Sequence, residues 1–486
     1  EIDAFEYFAK LSNYGKKKNS LLLEDKNKSI GTSNPCLLVT GKDNEFEIKA
    51  LNETGKKILQ FVKKDFGFCD KAIYGRDKIH GTLTPTRRTV SEDQRLKLKT
   101  HMDIIRAIAF RFKAGEELVV PCGMLGMISY DFVDNVGDLP ANKEDMINDP
   151  DYALYFLDNM FVVDHDTKKT YFVSNAIVTD NKRDDLYKSC NRIIKGYEKL
   201  LDKKLPKLKK SKKKVFEVDY DTGMEEFLDM VKKLKRHILE GEILSANPSR
   251  MAISNYGAEP LDIYSKFKNG LVSFFMNDGE GISMGHAYDS LKVKDNVVEL
   301  RVGTNLRPRD NEDNDLDNKY EIGLITGENE IVKHTMQVDA ARNEISKISE
   351  PGTRYASKLF AIEKQENTQK VASNVVGKLK EGLDGLHVFL SSINFGAGLP
   401  KLKSMELLRK MEKTKRCFNS GSIVMIGADK KVDSKTLSMI RIKKDKAYSR
   451  VSSYVFHGCD EEKVVEKNES KLSAFLENIK GAGGFK

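Results

Sequence analysis

Hydrophobic positions fall into short runs separated by turn residues over the first two hundred positions, and into longer, mixed periods after that. In the first stretch, Leu118-Val119-Val120, Gly126-Met127-Ile128-Ser129-Tyr130, Met160-Phe161-Val162-Val163 and Thr170-Tyr171-Phe172-Val173 are rich in β-branched and aromatic residues and predict strands. The last two flank Asp164-His165-Asp166, which predicts a hairpin turn. Further on, Met224, Phe227, Leu228, Val231, Leu234, Ile238 and Leu239 recur at helical spacing, and Gly241 stands where a helix C-terminus favours glycine. Strands are predicted at 271–275, 297–300 and 423–426, and helices near 328–346, 365–380, 402–413 and 461–479. Helices and strands intermix without a βαβ rhythm, which predicts an α+β architecture.

The 486 residues allow about three domains or two large ones. The net charge of +9 is concentrated in residues 203–214, whose eight lysines and absence of acids leave +1 for the remainder. That run holds a proline and no aromatic residue, so it reads as a solvated linker rather than a base-stacking surface. It divides the chain into 1–202, the 203–214 linker and 215–486. Nucleic acid is therefore not an expected partner. The six cysteines form no CxxC pair, and no apolar run approaches the roughly 18 residues of a membrane helix, which leads to the expectation of a cytoplasmic protein without a membrane partner.

General chemical motifs are sparse. There is no phosphate-binding GxxxxGK[ST], no HExxH and no GxGxxG after a strand. The literal GxSxG at Gly281–Gly285 lacks a following helix pattern, as a nucleophile elbow would require. One segment stands out: 334–344, HTMQVDAARNE, places Met336, Ala340 and Asn343 on one helical face, with Asp339 and Arg342 three apart, and predicts a buried helix with an internal ion pair.

The longer stretch KHTMQVDAARNEI resembles the signature helix of the chorismate-utilising enzymes, among them anthranilate synthase large subunits, aminodeoxychorismate synthases and isochorismate synthases. Similar stretches follow in the family's order: SLLLED, GMLGMISYDFV and LDNMFVVDHDTKKTYF early on, then ILEGEI, VGT before RPR, VASNVVGKL, FGAGLPKLKSMELL and MIRI. The early stretches look most like anthranilate synthase component I. The resemblance implies that family's fold: two intertwined domains with large, mostly antiparallel sheets and helices packed outside. It also implies a small anionic substrate such as chorismate, a glutamine amidotransferase subunit as a possible partner, and the possibility of a homo-oligomer.

It further implies magnesium, held by two glutamates on facing helices, since chorismate has a poor hydroxyl leaving group and carboxylates to position. Those two positions match Lys333 and Lys467, the second counted four residues before Lys471; a one-residue slip would substitute Glu466. A hard dication is repelled by ammonium groups, so no bound metal or other cofactor is expected here. The family's site histidine matches Lys370, which makes Lys333, Lys370 and Lys467 the candidate catalytic residues. Glu330 matches a further acidic position, Asp289 a site glutamate, Gly303 and Thr304 the substrate-contacting GT pair, and Lys401 the lysine after Pro400. Arg441 matches the arginine that binds the enolpyruvyl carboxylate, a bidentate contact that lysine copies poorly.

Several family positions have changed. The glycine-rich carboxylate loop reads Ser452-Ser453-Tyr454, the threonine of the PAGT motif is Phe395, and the positions of two lysines and a glutamine that define specific reactions are Ser245 and Val302. In the feedback region Glu24 stands beside Asp25, and 269–274 has lost both prolines, so tryptophan inhibition is not expected. The function implied is an anthranilate synthase component I-like enzyme acting on chorismate or a related anionic cyclohexadiene, by elimination or by amine or water transfer, without magnesium. The alternative is a non-catalytic paralogue that binds a metabolite or an amidotransferase-type partner.

Overall fold

A computed structural model describes residues 2–485 apart from 88–89, 114–119, 121, 142–143, 179–182, 207–214, 268–271, 365–367 and 394. Most of the lysine run, all but one residue of the 118–120 strand, and the first three residues of the feedback segment 269–274 therefore lie outside the described residues.

Two long strands, Ile282–Lys294 and Val432–Lys443, form a central antiparallel ladder with Met284 opposite Ile440 and Val293 opposite Val432, interrupted by an irregularity between Asp289 and Leu291. Different strands continue the sheet from each end of this ladder. Beside Ile282–Ala287 run Val272–Asn277, Ser20–Glu24, Lys28–Thr32, Asn159–Asp164 and Lys169–Ser174 in that order. Beside Leu291–Lys294 run Val297–Pro308, Thr368–Lys378 and Tyr355–Lys364. From the partner strand, Lys446–Ser452 leads to Ser249–Ser254, while Ser422–Gly427 leads to Gly123–Ile128, Tyr152–Leu157 and Leu37–Lys42. Early strands thus hydrogen-bond directly to late ones, with Leu22 opposite Phe275 and Met124 opposite Ile426. This is a mixed α+β fold of intertwined antiparallel sheets.

Alternation along these strands creates distinct apolar layers. Between the sheets lie Tyr155, Phe274, Met276, Leu437 and Met439; beneath the outer helices lie Phe8, Tyr264, Phe267, Leu472 and Phe475. Full burial of each such side chain contributes about 2 kcal/mol relative to exposure. The helix Glu328–Ile348 lays Val338, Ala341, Ile345 and Ile348 onto Leu300, Val302 and Val375. It is buried on one face only: Ala340 is inside, Asn343 is exposed, and the Asp339–Arg342 pair, 3.8 Å apart, is more than half exposed on both partners. The predicted internal ion pair is thus a surface pair.

Most predicted elements are present, including the Asp164–Lys169 hairpin turn, whose Lys168 has φ +55°, and the helix Met224–Leu239, followed by Gly241 at φ +78°. The exception is the helix predicted at 365–380. Residues 368–378 instead form a strand with hydrogen-bonded neighbours on both sides. Its burial pattern shows consecutive inside residues because both sheet faces are covered, and that pattern imitates a helical stripe.

Candidate functional site

The strands Val297–Pro308 and Thr368–Lys378 and the helices Glu328–Ile348 and Glu461–Gly481 surround a cleft. A cavity of about 740 Å³ lies over Gly303, Thr304 and Lys370, and a second lobe of about 400 Å³ lies beside Asn329, Glu330 and Tyr454. Lys333, Lys467 and Lys471 border both lobes.

Each helix presents its lysines for a local reason. The first begins after Gly327 with Glu328 and Glu330 in its first turn, where the helix dipole favours acids. Lys333 and His334 follow one turn later. His334 is fully buried, with Nδ1 2.6 Å from Thr304 Oγ1 and Nε2 2.7 Å from Ser373 Oγ. Burial and the neighbouring Lys333 lower its pKa to about 4, so it is a neutral positioning group between helix and sheet. The late helix is capped by Asp460, whose Oδ1 accepts from Lys463 N at 3.0 Å. From there Lys463, Lys467 and Lys471 follow at four-residue intervals and all border the second lobe. Glu466 borders neither lobe, so the geometry favours the register that places Lys467 opposite Lys333.

Burial, and then repulsion from Lys467 and Lys471, lowers the pKa of Lys333 to about 7, with Glu330 acting in the opposite sense. Its Nζ sits 5.2 Å from the centre of the Tyr454 ring, a cation–π distance. Lys471 donates to Ser452 O at 2.9 Å, and burial with Lys467 lowers it to about 8. Among the described residues, the only carboxylates bordering the cleft are Glu330 and Asp460. Arg307 engages Glu330 at 2.8 Å, and Asp460 caps its own helix.

Lys370 is in a different environment. It reaches the first lobe but lies 3.8 Å from Glu363, which also binds Arg301 and Lys358. Burial works against the Glu363 charge, yet these cations hold it below the ordinary carboxylate range. Gly303 matters here because a Cβ would lie 3.3 Å from Lys370 Nζ; the bare backbone leaves the ammonium its place.

Tyr454 borders the second lobe, and Ser245 lies behind it, bordering neither lobe. Ser245 is fully buried, and its side chain and that of Gln337 adjoin the Tyr454 hydroxyl, where both act to lower its pKa. Burial keeps the Tyr454 phenol protonated. For Asp289 only the backbone is described, opposite Lys435; its side chain lies outside the described residues.

Two expected site residues point elsewhere. Arg441 borders neither lobe. Successive strand residues face opposite sides, and Arg441 falls on the intersheet side, fully buried. Its Nη2 lies 2.9 Å from both Asp149 and Asp278, and Nη1 donates to Ser283 at 3.1 Å. Those contacts occupy the fork expected to hold a substrate carboxylate, and they make Ser283 of the GxSxG stretch a structural acceptor on a strand. Lys401 is likewise internal, donating to Ser391 O at 2.6 Å with Glu344 3.6 Å away. Conversely, Lys463 was not anticipated as a cleft residue, and Lys471 entered only as the lysine from which Lys467 was counted. The four-residue lysine spacing 463–467–471 was the available signal.

Comparison with known proteins gives a consistent assignment. A family profile described as chorismate binding enzyme matches residues 68–477. Anthranilate synthase component 1 of Buchnera aphidicola from Acyrthosiphon pisum is 31% identical over 425 residues, covering 84% of this chain and 79% of that protein. The Vibrio cholerae protein of the same name is 25% identical, covering 93% of this chain and 88% of its own length. In structure, anthranilate synthase component I from Streptococcus pneumoniae aligns at a TM-score of 0.72 with 18% identity, covering 93% and 92% of the two chains. The menaquinone-specific isochorismate synthase of Escherichia coli aligns at 0.64 with 11% identity, covering 98% and 91%. With a profile spanning both halves and the same intertwined fold, the chain belongs to the chorismate-binding enzyme family.

Proposed function

We propose that this component I-like chain acts on chorismate or a related anionic cyclohexadiene, and that ammonium groups take the place of a magnesium ion. The observation that carries this reading is the clustering of Lys333, Lys467 and Lys471 from two helices around one cleft. A magnesium ion requires anionic oxygen, and the residues there do not fit one: Glu330 is engaged by Arg307, Asp460 caps its own helix, and the other charged groups bordering the cleft among the described residues are cations. Three ammonium groups suit the carboxylates of a dianionic substrate directly. Anion binding raises the pKa of Lys333, leaving a protonated amine able to donate to a departing hydroxyl. Lys370, anchored by Glu363, would orient the ring from the opposite lobe.

The test is incubation of the purified full chain with chorismate, with and without EDTA, ammonia and glutamine, followed by chromatography. Consumption that withstands EDTA and is lost in Lys333→Met supports the reading. Chorismate unchanged under every condition overturns it. The relatives' name, component 1, supports a second reading, assembly with an amidotransferase-type chain, which glutamine-dependent turnover in a reconstituted mixture would test.

A further inference from the structure

Lys333 faces Lys467 and Lys471 at the cleft, whereas Lys370 and Lys401 lie beside carboxylates. It borders a cavity large enough for a small organic acid, and its neighbours on the facing helix are two more amines. No carboxylate lies within 4 Å of its Nζ among the described residues. A lysine beside another cation in a desolvated site holds a larger neutral fraction near pH 7, and the neutral amine is the nucleophile.

We propose that Lys333 is a nucleophilic amine that forms an imine with a small α-oxo acid in this cleft, the acid's carboxylate being held by Lys467 and Lys471. The Lys333 nitrogen adds to the carbonyl carbon to give a carbinolamine. The carbonyl oxygen then leaves as water, carrying the two hydrogens of the neutral amine, and a C=N bond replaces C=O. No oxidant or reductant is consumed. Tyr454 borders the second lobe beside Lys333, and its hydroxyl, backed by the Ser245 and Gln337 side chains, is the group positioned to hydrogen-bond the carbonyl oxygen and the departing water.

The charged and titratable groups around Lys333 act together. From the late helix come Lys467 and Lys471, which disfavour its protonation; from its own helix come Glu330, which favours it, and neutral His334. From the sheet comes Arg307, which disfavours it while engaging Glu330, and from the loop before the late helix comes the neutral Tyr454 ring. The lowering of Lys333 to about 7 agrees with this balance.

The inference shares its cleft with the proposed chorismate reaction but not its substrate, so trapping can succeed where chorismate turnover fails, and the reverse. The full chain is incubated with pyruvate and cyanoborohydride at pH 7, and modified lysines are mapped by peptide mass spectrometry. The expected result is one reduced pyruvate adduct per chain on Lys333, absent in Lys333→Arg. Adducts scattered over surface lysines, or none, would overturn it, and the wild-type map decides this even where the variant fails to fold. Lys467→Met is expected to slow trapping at pH 7 and move its pH midpoint upward. A midpoint that stays in place would overturn the electrostatic role given to Lys467.

Discussion

Arg441 is fully buried and Lys333 half-buried, and the two cations meet opposite fates. Between the sheets, burial alone would oppose the charge of Arg441, but Asp278 and Asp149 outweigh it and hold the guanidinium above its ordinary range. At the cleft, Lys333 faces amines instead of carboxylates and falls to about 7. Charge burial stabilises a fold only where the counter-charge is built in, whereas a cluster of one sign stores its binding energy for an external ligand. The first arrangement belongs to the scaffold, and the second is suited to anion binding.

Three substitutions and a pH series test this contrast. The largest effect is expected for Arg441→Met, which strands the buried Asp278, leaves Asp149 only Lys443 at 3.2 Å, and costs about 3–5 kcal/mol, measured by urea unfolding. Loss below about 1 kcal/mol would mean that the intersheet charges are hydrated and the contrast fails. Lys333→Met should have the opposite sign, leaving stability unchanged or raising it by about 1 kcal/mol, because a repelled ammonium is replaced by an apolar chain of similar length. The same variant should lose anion binding in isothermal titration.

Next comes pH. The pKa of Lys333 is lower folded than unfolded, so the unfolded chain binds more protons above about pH 7. Wild-type stability relative to Lys333→Met should therefore rise as pH increases from about 7 toward the ordinary lysine range. Affinity for a dicarboxylate should fall over the lower part of that interval as Lys333 and then Lys471 lose protons. A flat difference between the two proteins in pH-dependent melting would contradict the assigned environment. The smallest effect is expected at the exposed surface pair, where Asp339→Ala should change stability by less than about 0.5 kcal/mol.

Local pattern revealed much of the fold. Turn residues framed the Asn159–Ser174 hairpin, and helical spacing with Gly241 framed Met224–Leu239. Where both faces of an element are covered, that signal disappears, and Val371, Ala372, Val375 and Val376 read as a helix although they lie on a central strand. The intertwining was visible only through family resemblance, because no local period tells Leu22 that its neighbour will be Phe275. At the site, collinear matching located Lys333, Lys370 and Lys467 near one cleft but could not tell which face of Val432–Lys443 Arg441 takes. It also treated the three lysines alike, and only the distance to Glu363 separates the compensated Lys370 from Lys333.

The central ladder also constrains how the molecule is made. Strand Ser20–Glu24 needs Val272–Asn277, and Gly123–Ile128 needs Ser422–Gly427, before either early edge is covered. Contacts this distant in sequence raise the contact order and slow folding, and a nascent chain would wait with open strand edges until the late strands emerge. Lys467 and Lys471 are synthesised after those strands, so the cluster with Lys333 cannot form while the first half is still emerging. Severing the chain at the lysine run would therefore be expected to yield two aggregation-prone pieces, with neither containing a finished sheet.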